Sequence, residues 1–232
     1  MQGGKLRKFQ RYIVEGMDVH THIFFNIEAD VLDLSLSGAS IRSTQRLSMG
    51  RPYTFRFTRD EEVTSVQGVV VWEKLVGGRK DAKGQTIQVY TAGVQFLDVF
   101  TDKAQQLVEY IRSVAGATAG KRIAGIRLRL QEPGKAVVIR IDEYLVTAIG
   151  IGGISIEIDR ELAPERVLLF ELMIPSVETR LHFTGRVAYC REIPGAEARR
   201  FNVGIEIVEM AEREMSRWKG IVETLSPGAG KP

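Results

Sequence analysis

The chain has 232 residues, which is enough for one large domain or two of ordinary size. Its 44% hydrophobic and 26% charged residues are typical of a folded globular protein and exclude a disordered one. The formal net charge of +3 is too small for a general nucleic-acid binder, so we expect no DNA or RNA partner.

Cysteine content and hydropathy favour a cytoplasmic protein. The single cysteine, Cys190, can form no intramolecular disulfide and no thiolate metal cage, which suits a reducing compartment. The N-terminus has no apolar run after its basic residues, unlike a signal peptide, and no stretch is apolar enough to cross a bilayer. We therefore expect cytoplasmic localisation and no insertion into a membrane.

The first ten residues are typical of an exposed basic arm, and residues 12–96 carry the pattern of short β-strands. Tyr53, Phe55 and Phe57 alternate with polar residues, which predicts a half-buried strand with three aromatic rings on one face. Glycines and polar stretches separate further β-branched runs. Several short strands at regular spacing indicate a β-barrel or a β-sandwich.

A helix is predicted after these strands. Asp102 is a suitable N-cap, and Leu107, Ile111 and Val114 recur at the spacing of one helical face. That apolar face would cover part of the strand structure. Residues 116–120, which are glycine and alanine with one threonine, then form a short linker.

After the linker, the sequence repeats itself. Three glycine-containing apolar segments match segments of the first half in the same order, at offsets of about 115, 117 and 111 residues. They are 150–156 with 35–41, 185–189 with 68–72, and 203–207 with 93–96. A final helical pattern around residues 218–225 matches the first helix. The shared order predicts a duplicated domain, with one copy in residues 1–119 and the other in residues 120–232.

Two short motifs of the first copy carry candidate ligand chemistry. Asp33, Ser35 and Gly38 form the pattern Asp-x-Ser-x-x-Gly, and Arg7 and Arg11 form Arg-x-x-x-Arg some twenty residues upstream. In this order and separation the two motifs resemble the ligand signature of PilZ domains, which are β-barrel receptors for the bacterial second messenger cyclic di-GMP. The resemblance covers about residues 6–96.

The residue types suit this ligand. A guanidinium fork meets the O6 and N7 acceptors of guanine together and can also lie over a purine ring. A carboxylate accepts from the opposite guanine edge, and a small hydroxyl with a glycine lets backbone N–H groups approach a phosphate. The resemblance implies that the arginine arm, which also holds Leu6 and Lys8, is mobile and wraps over the bound dinucleotide. It also implies that Leu6 influences how many ligand molecules are held.

The second copy departs from the pattern. Ala148 and Gly150 stand where Asp33 and Ser35 do, and Gly153 keeps its counterpart. Alanine offers guanine no acceptor, so we expect this copy to bind the dinucleotide poorly or not at all. It would then receive the ligand signal, contact a protein partner or form a homodimer.

The arginines of the second copy also differ from the motif. Arg122 is equivalent to Arg7, but the next arginine, Arg127, follows after five residues rather than four. Arg127, Arg129 and Arg140 fit the outer faces of strands.

Alternatives remain open at this stage. Singly, each motif residue could be a turn former or a solvated charge. Both copies could be adaptors that bind no ligand. Alternation of aromatic and basic residues in 53–59 could imitate a single-strand RNA binder. His20 and His22 are two apart but lack a third metal ligand nearby, and no acid–base pair or phosphate loop is evident.

We therefore predict a bacterial, cytoplasmic, mainly β protein that is not an enzyme and has no cofactor or metal. Its fold would be two tandem six-stranded antiparallel PilZ-type β-barrels, each followed by a C-terminal α-helix. The first would bind cyclic di-GMP through Leu6, Arg7, Lys8, Arg11, Asp33, Ser35 and Gly38.

Overall fold

The computed structural model describes residues 10–14, 16–59, 62–82, 84–97, 102–115 and 127–225. These residues form a mainly β protein with eleven strands and two α-helices. The strands are β1 (Tyr12–Ile13), β2 (His20–Ser35), β3 (Gly38–Ser43), β4 (Pro52–Arg59), β5 (Glu62–Lys80), β6 (Thr86–Phe96), β7 (Leu128–Gly150), β8 (Gly153–Ile158), β9 (Val167–Ile174), β10 (Thr179–Glu192) and β11 (Phe201–Met210). The helices are α1 (Asp102–Ala115) and α2 (Glu212–Thr224). Within the part of the chain that the structure describes, no helix is long and apolar enough to cross a membrane.

The chain divides into two compact units whose limits differ from the predicted boundary at residues 119 and 120. The central unit is Asn26–Arg140, and the terminal unit joins Met1–Phe25 to Ile141–Pro232. Strands β2 and β7 each change unit along their length, at residues 25–26 and 140–141. Each unit therefore contains strand segments from both sequence copies.

In the central unit the hydrogen-bonded strand order is β2-β3-β6-β5-β4-β7, and each of these pairings is antiparallel. Strand β4 meets β7 through residues 54–57 and 136–139. Tyr53, Phe55 and Phe57 are all at most 3% exposed, as their alternation predicted. Leu107 and Ile111 of α1 are fully buried in the same core, so the predicted apolar helix face is confirmed at these two positions.

In the terminal unit the order is β1-β7-β8-β11-β10-β9-β2, again antiparallel throughout. Stacked Phe170 and Phe183 rings, with centroids 5.0 Å apart, fill part of its core. Trp218 of α2 is fully buried and donates its indole N–H to the carbonyl of Ile151 at 3.2 Å. Because a buried indole N–H needs a partner, this bond fixes α2 against the β7–β8 turn.

Candidate functional site

The Asp-x-Ser-x-x-Gly motif forms the turn between β2 and β3. Ser35 pairs with Gly38 at the end of the ladder, which leaves a two-residue loop. The Ser35 hydroxyl donates to the Gly38 carbonyl at 3.0 Å and lies 3.3 Å from the hydroxyl of Ser37. The motif serine is 7% exposed, so it holds the turn together from inside.

Gly38 is required by the packing of β3 on β6. A Cβ atom at this position would lie 2.0 Å from the Val94 carbonyl oxygen, where ordinary contacts are 3.4–4 Å. Because this oxygen belongs to the backbone, no side-chain rotation can relieve the contact. The motif glycine therefore has a structural function in addition to any contact with a ligand.

Asp33 lies at an irregularity in the β2–β3 ladder. The register shifts between Val31 and Asp33, as at a β-bulge, a feature that re-aims side chains and is common next to binding sites. One carboxylate oxygen, Oδ1, accepts from the backbone N–H of Ser40 at 3.0 Å. The same oxygen is 3.1 Å from Nε of Arg127, and the Asp33 side chain is 23% exposed. The turn thus presents a carboxylate that is already paired with an arginine.

Arg127 immediately precedes β7, and its side chain is 53% exposed. A guanidinium group carries five N–H donors in a planar fork, so an ion pair through Nε leaves donors for a ligand. The sequence pattern does not predict a contact between Arg127 and Asp33, because Arg127 also fits the outer face of a strand. One signal was present: Arg127 lies 116 residues after Arg11, within the offset range of the repeat.

Arg11 belongs to the terminal unit. Its guanidinium donates to the hydroxyls of Ser155 and Tyr189, the latter at 3.2 Å, and lies 5.8 Å from the Tyr189 ring centroid. The Tyr189 hydroxyl in turn donates to the Asn202 side-chain oxygen at 3.1 Å. The structure therefore brings Asp33, Ser35 and Gly38 together and gives Arg11 other partners. Residues 6–8, with the predicted Leu6, Arg7 and Lys8, lie outside the described residues.

The three histidines of the sequence lie in the terminal unit, and two of them share one carboxylate. Glu171 accepts from His22 at 3.0 Å and from His182 at 2.9 Å. Burial would raise the pKa of Glu171, but the hydrogen bonds from both histidines, together with the charges of His182 and Arg180, outweigh burial and lower that pKa. Among the described residues no group of histidine, cysteine and acidic side chains is arranged to hold a metal ion.

The central unit also has an open cavity of about 600 Å³ with charged walls. The charged side chains at its lining are Glu28, Asp30, Arg42, Arg56, Arg79 and Lys135. Asp30 joins two of them, at 3.0 Å from the Arg42 guanidinium and 2.6 Å from Lys135 Nζ. Burial would raise the pKa of Asp30, but these two cations lower it.

The comparisons with known proteins bear on the first sequence copy. The family model of the PilZ domain matches residues 5–113, a range that contains both motifs and the β2–β3 turn. The match of the PilZ domain model to residues 5–113 thus confirms the resemblance inferred from the motifs. No curated protein matches the sequence.

Solved structures show only distant likeness. MrkH of K. pneumonia in complex with c-di-GMP is 10% identical, with 89% of this chain and 87% of that chain covered and a TM-score of 0.33. The Bacillus subtilis inhibitor of motility, MotI/DgrA, is 13% identical, with coverages of 80% and 100% and a TM-score of 0.34. PlzA of Borreliella burgdorferi, in complex with c-di-GMP, is 8% identical, with coverages of 90% and 92% and a TM-score of 0.25. TM-scores this low establish no common arrangement of the chains.

Proposed function

We propose that the protein is a receptor for cyclic di-GMP and that the dinucleotide binds at the β2–β3 turn of the central unit. The observation that carries the proposal is the carboxylate–guanidinium pair of Asp33 and Arg127, 3.1 Å apart and partly exposed beside the motif turn. The PilZ family match over residues 5–113 supports the same ligand class.

The pair complements guanine chemically. Guanine carries two acceptors, O6 and N7, on one edge, and these suit a guanidinium fork. The opposite edge carries N–H donors, which suit a carboxylate. Asp33 has a second oxygen besides the one that accepts from Ser40, and that oxygen suits these donors. Backbone N–H groups in turn conformations are a common binding site for phosphate. A guanine nucleotide with phosphates is therefore the class of ligand that this turn fits best.

In this proposal both units are PilZ-type β-barrels, and only the central one binds the ligand. Asp33 pairs across the ladder with Ser40, and Ala148 pairs with Ser155 at the equivalent place in the terminal unit. Because alanine has no acceptor, the terminal unit cannot hold guanine in the same way. It would transmit the signal, by contact with a protein partner or with a second copy of the chain.

The signal itself would come from a segment that closes over the nucleotide. Two segments carry arginines at repeat-equivalent positions, 7–11 and 122–127. We infer that one of them changes its contacts when the ligand binds. The resulting shift between conformations can be no larger than the difference in ligand affinity between them.

Thermal unfolding with and without cyclic di-GMP tests the proposal. A ligand at 100 times its Kd adds about 2.7 kcal/mol, which raises the Tm of a protein of this size by about 5–11 °C. The variant Asp33→Ala should lose the shift. Glu28→Ala, which removes an exposed carboxylate from the same strand, should keep it. No shift in the wild-type protein at saturating nucleotide would favour an adaptor that binds no ligand.

A further inference from the structure

The two units repeat the same local features around their motif turns. Each ladder has a register shift just before the turn, at Val31–Asp33 in one unit and Val146–Ala148 in the other. Each turn ends in a glycine that has no room for a side chain. A Cβ atom added there would lie 2.0 Å from a backbone carbonyl oxygen at Gly38 and 1.9 Å from one at Gly153. The turns are therefore equivalent in structure as well as in sequence.

An arginine approaches each turn at an equivalent place. In the central unit Arg127 contacts Asp33, whose ladder partner is Ser40. In the terminal unit Arg11 contacts Ser155, which is the ladder partner of Ala148. Each arginine stands immediately before a strand, β7 or β1, and the two are 116 residues apart.

Each of the two arginines contacts the turn of the other sequence copy. Arg11 precedes Asp33 by 22 residues in the first copy, yet it contacts Ser155 of the second copy. Arg127 belongs to the second copy, yet it contacts Asp33 of the first. Strands β2 and β7 account for this, because each passes from one unit to the other.

We propose that Arg127, and not Arg11, supplies the guanidinium group that binds the nucleotide beside Asp33. The proposal rests on the proposed function and assigns to Arg127 the role that the motif resemblance implied for Arg11. Arg127 is next to the carboxylate, is half exposed, and has donors left for O6 and N7 of guanine. Arg11 instead uses its donors on Ser155 and Tyr189, within a unit whose turn has no carboxylate.

Calorimetric titration with cyclic di-GMP of the full-length protein and three variants tests this assignment. Arg127→Ala should weaken binding about 5- to 150-fold, the range for loss of a bidentate guanine contact. Arg127→Lys should fall between wild type and Arg127→Ala, because lysine keeps the charge and loses the fork. Arg11→Ala should bind as wild type does. Arg129→Ala, which removes an exposed arginine two residues further along β7, is the matched control and should also bind normally.

The outcomes separate the two proposals. If the wild-type protein does not bind, the proposed function fails. If it binds and Arg127→Ala binds equally well, only the assignment of Arg127 fails. A loss of tenfold or more in Arg11→Ala would also overturn the assignment, provided that its circular dichroism and Tm show it to be folded.

Chemical cross-linking supplies a second readout that needs no ligand. In a Cys190→Ser background, the paired substitutions Asp33→Cys with Arg127→Cys should react with a short bis-maleimide to give an internally linked monomer. The pair Ser155→Cys with Arg11→Cys should do the same. Failure of the first pair where the second succeeds would contradict the contact on which the proposal depends.

Discussion

Replacing Gly38, the motif glycine of the central unit, by alanine tests whether this glycine is needed for packing as well as for ligand binding. In Gly38→Ala the new methyl group would lie 2.0 Å from the Val94 carbonyl oxygen, 1.4 Å inside the closest ordinary contact of 3.4 Å. The β3–β6 ladder must therefore move apart next to the turn. We expect a loss of at least about 3 kcal/mol of unfolding free energy, the upper end of the cost of overpacking.

Urea denaturation and thermal unfolding both measure this loss. About 3 kcal/mol lowers the urea midpoint by about 1–1.5 M if m is about 2–3 kcal/mol/M, and lowers the Tm by about 6–12 °C. The matched variant is Gly153→Ala, whose methyl group would lie 1.9 Å from the Ile205 carbonyl oxygen in the unit whose motif turn has no carboxylate. It should be destabilised at least as much and should still bind cyclic di-GMP when folded. A Gly38→Ala protein with wild-type stability and no ligand binding would refute the packing argument.

Two further predictions concern stability alone. Burial would raise the pKa of Glu171, but the hydrogen bonds from His22 and His182 and the charges of His182 and Arg180 together lower it from 4.5. Glu171 therefore stabilises the fold above pH 4.5 and loses this contribution as pH falls through its folded-state pKa. Urea midpoints measured from pH 6 to pH 3 should therefore fall more steeply for the wild type than for Glu171→Gln, and parallel curves would contradict this. Gly220→Ala should raise the unfolding free energy by about 0.5–1 kcal/mol, because alanine favours the helix. Gly220 lies inside α2, and a methyl group added there would meet no neighbouring atom within 4 Å. A loss of stability would therefore contradict this prediction and show that α2 needs the glycine.

Features that depend on near neighbours in sequence could be predicted, and features that depend on which copy supplies a strand could not. The alternation of Tyr53, Phe55 and Phe57 fixed the inward face of β4, because period-two burial is a local property of a strand. No local sequence pattern predicts the contact of Arg127 with Asp33. The two copies present equivalent turns and equivalent arginines, so local sequence fits either pairing equally well. The choice is made by the paths of β2 and β7, as in proteins that exchange identical elements.

The altered motif of the terminal unit has a physical explanation in the chain that lies beside it. A Cβ atom at Gly150, the position equivalent to Ser35, would lie 2.4 Å from the Gln10 carbonyl oxygen. A serine there would displace the backbone next to Arg11 and so disturb the hydrogen bond from Arg11 to Ser155. Glycine at this position therefore accommodates the protein's own N-terminal segment, where the central unit has a serine that braces its turn. A nucleotide that entered the terminal turn would have to displace the Arg11 hydrogen bonds and would gain no carboxylate in return, so we expect one ligand site per chain at the β2–β3 turn.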